Sequence, residues 1–249
     1  MKNLDDLFEE EFKKMQSLEG IKHQFLTTNL TEIRGIFGYI YGLNYLKKKV
    51  ETKNYFGSEF EMTFSLLLES FYALLTGQCR GALLLLRSAQ EANFKFVLEK
   101  EREFMLNNDP TLKFKSLNFR FSETKSQFTN DLHRCLDEKD FKEYYKSVER
   151  NLTLYQRLSA VVHSVSKNTP IMNVAYFSSL HKETILDKVD FFNLFHSVLD
   201  NIFLLNYFLI RESLVKWDYY VLQNLLRIMY GKKRTETLIK IVKKDKISL

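Results

Sequence analysis

Arg80-Gly-Ala-Leu-Leu-Leu-Leu-Arg-Ser-Ala-Gln-Glu91 is the stretch on which the reading of the fold turns. It lies in a helix predicted from Gln78 to about Leu106, between the breaker Thr76-Gly77 and Asn107-Asn-Asp-Pro110. Around Ala82 to Leu86 this helix is apolar on nearly every side, which places it in the middle of a helical bundle. Along one edge run Arg80, Arg87, Glu91 and Lys95. Arg87 and Glu91 are four residues apart and can pair on one face. Two readings of that edge stay open. The pair satisfies both charges at a bundle seam, as the cost of an unpaired buried charge favours. Alternatively, Arg87 or Glu91 stands beside His163, tuning its proton affinity or adding a phosphate contact.

The rest of the chain is of the same kind. Of 249 residues only 8 are Gly and 2 are Pro, too few for the many turns of a β-sandwich or barrel. Amphipathic spacing predicts a helix over Leu4–Leu18 ended by Gly20, and a longer one over about Lys22–Thr52. The latter holds three glycines, Gly35, Gly38 and Gly42. Glycine is costly inside a helix, so they point to close packing on a neighbour. A nucleotide-cradling loop is discounted because no strand precedes them and no phosphate-binding lysine motif follows.

A turn at 54–58 leads to a helix over Glu59–Leu75. Beyond Pro110, residues 111–121 read as a short strand or an extended loop, and Ser122 as the N-cap of a helix through Asp137. A further helix spans about Lys139–Lys167, and 171–179 is ambiguous. Helices resume over about Glu183–Trp217, Tyr219–Tyr230 and Thr235–Lys244. The expected fold is all-α, one elongated domain over 1–249.

The helix over 139–167 carries Arg157 and His163. On an ideal wheel Leu154, Leu158, Val161, Val162 and Val165 share one arc, while Gln156, Ala160, His163, Ser164 and Lys167 share the opposite one. His163 therefore points away from its own helix's core stripe. It is a solvated surface residue, part of a helix contact made close by Ser159, Ala160 and Ser164, or part of a catalytic or nucleic-acid site. A serine hydrolase is rejected because no nucleophile-elbow sequence is present.

The Arg-x5-His spacing, the Leu-Ser-x-x-Val-His run at 158–163 and the apolar run ending in Arg-Ser-Ala-x-Glu resemble the HEPN superfamily (higher eukaryotes and prokaryotes nucleotide-binding), in particular HEPN-like proteins of prokaryotic defence loci. The resemblance covers about 59–168, flanked by N-terminal helices over 1–57 and a C-terminal helical extension over 183–249. It implies a metal-independent endoribonuclease of a bacterial defence or toxin system, associated with abortive infection. Carried over by position, His163 is the general acid/base and Arg157 holds the scissile phosphate. Arg87, Glu91, Ser159 and Ser164 would support the site or bind phosphate. No cofactor or metal is implied, and no His, Asp, Glu or Cys cluster has ligand spacing. This chain has Leu158 where the family motif usually has a polar residue.

Six residues put Arg157 and His163 about 120° apart on one helix. A site shared across a homodimer would bring them together, so a dimer is expected as a condition of catalysis. A non-catalytic helical interaction subunit, or an RNA-binding protein without cleavage, is the alternative. A partner protein or antitoxin is a further expectation. The net charge of +6 is a mild pull toward anions, concentrated in Lys232, Lys233, Arg234, Lys240, Lys243, Lys244 and Lys246. Cys79 and Cys135 read as thiols of a reducing compartment, and the acidic N-terminus is no signal peptide. The most apolar window, 191–210, contains His196, Asp200, Asn201 and Asn206, so a buried helix rather than a membrane span is expected. The expected location is cytoplasmic.

Overall fold

The computed structural model describes residues 3–116, 142–163 and 188–243. Among them every regular element is a helix: α1 Leu4–Gln16, α2 His23–Thr28, α3 Leu30–Lys48, α4 Lys53–Phe56, α5 Glu59–Leu75, α6 Cys79–Asn108, α7 Lys142–Val162, α8 Lys188–Leu209, α9 Arg211–Val215, α10 Tyr219–Arg227 and α11 Lys232–Lys243. The helix predicted over 122–137 and the ambiguous stretch 171–179 lie outside the described residues. No helix among the described residues is long and apolar enough to cross a membrane.

Local chemistry sets several boundaries. Asn3 caps α1, its side chain accepting from the Asp6 N–H at 2.9 Å while the Asp6 carboxylate accepts from the Asn3 N–H. Asp218 caps α10, its carboxylate accepting from the N–H groups of Tyr220 and Val221. Gly77 lies at φ +82°, a left-handed turn that costs glycine nothing and lets α5 fold back onto α6. The Ser70 hydroxyl donates to the Ala82 carbonyl at 2.8 Å across that hairpin.

Three predicted elements are corrected. The single helix over 22–52 is two, broken at Asn29, whose side-chain amide donates to the Phe25 carbonyl and so occupies an acceptor at the end of α2. The turn at 54–58 holds the short helix α4. The long helix over 183–217 is interrupted at Ile210, between α8 and α9. Residues 112–116, where a strand or a loop was open, form no strand.

The interior is shared by α6 and α8. α8 is enclosed on almost every side, with Leu194, Phe195, Val198, Leu199 and the run Asn201–Phe208 all buried. It meets α3, α6 and α7, and α5 covers α6. The α3 glycines make this possible. A Cβ on Gly35 would lie 2.6 Å from His196 Cε1, and one on Gly42 would lie 3.0 Å from Met229 and 3.2 Å from Phe203. A Cβ on Gly38 would lie 3.2 Å from the backbone carbonyl oxygen of Ile228. The glycines are seats for α8 and the end of α10, as the sequence leads one to expect.

Amide side chains cross this apolar interior and fix the helices lengthwise. Gln90 on α6 donates to the Asn151 side chain at 2.7 Å and to its backbone carbonyl at 3.0 Å. Asn201 on α8 donates to the Ser147 carbonyl at 2.6 Å, and Asn206 to the Asn93 side chain at 2.7 Å. All these amides are buried. A slip of one helix by a residue would leave several of them unpaired, at about 1–3 kcal/mol each.

Candidate functional site

The registry set by Gln90 and Asn151 carries directly to the next turn of each helix. Arg87 lies three residues before Gln90 on α6, and Tyr155 lies four after Asn151 on α7. There the Arg87 guanidinium reaches across. Its Nη2 donates to the Tyr155 hydroxyl at 2.8 Å and pairs with the Glu91 carboxylate at 3.1 Å. Its Nη1 lies 2.8 Å from His163 Nε2. The guanidinium carbon stands 5.1 Å from the centre of the Tyr155 ring, a cation–π contact as well.

The tautomer follows from these contacts. Arginine has donors only, so in this contact Nε2 accepts and the ring proton is assigned to Nδ1. The backbone N–H of His163 donates to the Ser159 carbonyl at 3.0 Å, which anchors the residue just past the end of α7. His163 is exposed, whereas Arg87 and Glu91 are half-buried, their side chains 21 % and 31 % accessible. The cluster therefore has a half-buried base formed by two helices and an exposed edge formed by the imidazole.

Leu154, Leu158 and Val161 are buried in the core and His163 points outward, as the wheel predicts. Arg157 is exposed and makes no ion pair with any described residue. The Arg157–His163 pair is thus not brought together within the chain. Arg87, 76 residues from His163 in sequence, occupies the position next to the imidazole instead. Of the two α6 residues expected beside His163, Arg87 is the one whose guanidinium reaches the imidazole. Ser159 is half-buried, and its hydroxyl has no hydrogen-bond partner among the described residues. Ser164 lies outside the described residues. The Arg87–Glu91 ion pair and the approach of Arg87 to His163 coexist, so the two readings of the α6 edge are not exclusive.

Tyr155 escaped the sequence reading. It sits on the border of the α7 apolar stripe two turns before His163, and a border tyrosine with one wet end was the available signal.

Part of the C-terminal basic cluster is committed to structure. Arg234 pairs with Glu143 at 3.1 Å, and the Lys243 ammonium donates to the carbonyls of Val215 and Trp217 at 2.8 and 2.5 Å. Lys232, Lys233 and Lys240 are exposed. Lys244 and Lys246 lie outside the described residues. Among the described residues no group of three or more His, Cys, Asp or Glu side chains is arranged to hold a metal ion.

Taken as chemistry, the cluster offers a proton acceptor at a solvent edge and a guanidinium whose charge can meet an anion there. A tyrosine and a carboxylate hold that guanidinium in place. No family model, curated protein or solved structure matches this chain.

Proposed function

We propose that the chain is a HEPN-type endoribonuclease of a bacterial defence or toxin system, working without a metal ion, with His163 as general acid/base. The observation that supports this best is the 2.8 Å approach of the Arg87 guanidinium to an exposed imidazole. In the proposed reaction His163 Nε2 takes the proton of an RNA 2′-hydroxyl, whose oxygen attacks the adjacent phosphorus. The bond to the 5′-oxygen breaks, and that oxygen receives the proton back from His163. The products are a 2′,3′-cyclic phosphate and a 5′-hydroxyl. Arg87 neutralises the charge that builds on the phosphoryl oxygens, and Arg157, exposed about 9 Å along the helix axis, holds a neighbouring phosphate.

The test is incubation of the full chain with total RNA in the presence of a chelator, followed by end-group analysis. His163→Ala is expected to lower cleavage by roughly 10²–10⁴-fold and Arg87→Ala by about 10²–10³-fold. Arg157→Ala is expected to weaken RNA binding with a smaller effect on turnover. Untouched RNA with wild-type protein would end this reading.

One observation favours a second reading, a non-catalytic helical interaction subunit. Arg87 is tied to Glu91, Tyr155 and His163 at once, which is also how a clasp between α6 and α7 is built. Under that reading Arg87→Met lowers thermal stability, and neither cleavage nor RNA affinity depends on His163. Salt-dependent RNA affinity that His163→Ala leaves unchanged would instead mark binding without cleavage.

A further inference from the structure

The contact that brings Arg87 to His163 also disables the histidine as a base. The Nε2 lone pair is the one that would take a proton, and in the free protein it accepts from Arg87 Nη1 at 2.8 Å. Two positioning residues hold the guanidinium in this place. Glu91 pairs with it from the next turn of the same helix, and the Tyr155 hydroxyl accepts from Nη2 at 2.8 Å from the facing helix. The same guanidinium stands at hydrogen-bond distance from the imidazole edge. An arriving oxyanion must therefore compete for it.

We propose that His163 is masked by Arg87 in the free protein and is unmasked when a phosphate-bearing ligand draws the guanidinium onto itself. Substrate then switches on its own base, and an imidazole at a solvent edge does not act on whatever drifts past. This rests on the nuclease reading only for the identity of the ligand. The masking is a property of the four side chains. Charge-assisted hydrogen bonds to phosphate are stronger than the neutral-acceptor bond to imidazole, so the exchange runs toward the anion. Glu91 sets how much anion is needed, because it competes for the same cation.

The experiment follows the His163 Nε2 resonance in the full chain by long-range proton–nitrogen NMR. The titrants are inorganic phosphate and, separately, a 2′-deoxy oligonucleotide that cannot be cleaved. The Nε2 and Arg87 guanidinium resonances are expected to shift together with one midpoint. Glu91→Gln is expected to lower that midpoint severalfold. In the absence of any anion, carbethoxylation of His163 measured against exposed His23 is expected to be on the order of tenfold faster in Arg87→Met than in wild type.

An oligonucleotide midpoint below that of phosphate identifies a polynucleotide as the trigger, and the reverse order identifies a free phosphate group. In both cases the masking stands. Resonances that stay in place at saturating concentrations of both titrants overturn it. So does a wild-type His163 that is as reactive as His23 without anion. Anion-dependent unmasking in a protein that leaves RNA intact removes the nuclease reading and keeps the masking. Cleavage with an unmasked resting histidine does the reverse.

Discussion

A single methyl group at position 35 would meet the His196 ring at 2.6 Å, closer than carbon atoms approach one another. Gly35→Ala is therefore expected to push α8 off α3 and cost about 1–3 kcal/mol, read as a lower denaturant midpoint. An unchanged midpoint would mean that the ring moves aside freely. The same histidine gives the chain a pH signature. Burial holds the His196 imidazole below its ordinary value of 6.5, outweighing Glu32 and Asp200, whose influence pulls upward. Between the folded and unfolded values the unfolded chain binds the proton more readily. The stability that His196 contributes is thus present above about 6.5 and is lost as pH falls through the folded value. Unfolding free energies measured across that window are expected to fall more steeply for wild type than for His196→Gln. Equal slopes would remove His196 from the explanation. At this scale the sequence was half legible. The outward aim of His163 follows from helical periodicity within one segment, and Arg87 or Glu91 was among the neighbours expected for it, although Arg87 lies 76 residues away. Only the packing of α6 on α7 brings the two together.

Helix identity was read well wherever the chain carries a breaker. Gly77 separates α5 from α6, and Asn107 to Pro110 end α6 close to its predicted limit. The breaks at Asn29 and Ile210 were missed because neither involves Gly or Pro. Asn29 acts through its side chain on the preceding turn, which resembles helix continuation in a periodicity plot. The buried amides were also unread as a group, since Gln90, Asn93, Asn201 and Asn206 each look like single polar interruptions of an apolar stripe. Together they set how α6, α7 and α8 align. Gln90→Leu is expected to cost about 1–3 kcal/mol by stranding the Asn151 side chain. The double replacement Gln90→Leu with Asn151→Leu should recover part of that loss, because an apolar pair leaves nothing unsatisfied. Chemical denaturation of the four proteins in the cycle measures this, and strictly additive losses would show that the two amides act independently. If the lengthwise alignment of α6 and α7 loosens, the Arg87–His163 approach loosens with it.

At the scale of the molecule, one continuous cluster of buried side chains reaches from Phe12 on α1 to Val242 on α11. Trp217 sits within it, 7 % exposed, so its fluorescence reports on the same core whose helices give the far-ultraviolet signal. Equilibrium unfolding is expected to show coincident transitions by both probes. Separated midpoints would divide the chain into independent units. The all-helical class was legible from the scarcity of Gly and Pro. The proposed nuclease chemistry was legible only as residue types at a suggestive spacing, because the fold sets which arginine stands beside His163.

The glycine seats on α3 and the amide ties on α6 have one feature in common: each joins a residue before position 117 to one after position 141. The two parts of the chain are thus held by complementary surfaces as well as by the peptide that links them. Polypeptides 1–116 and 142–249, produced separately in one cell, are expected to find each other and co-purify as a heterodimer. Gly35→Ala on the first fragment should weaken their union. The same logic makes the protein divisible. A split reporter built on these fragments would reunite α6 with α7, and with them Arg87 with His163, only when the fragments meet.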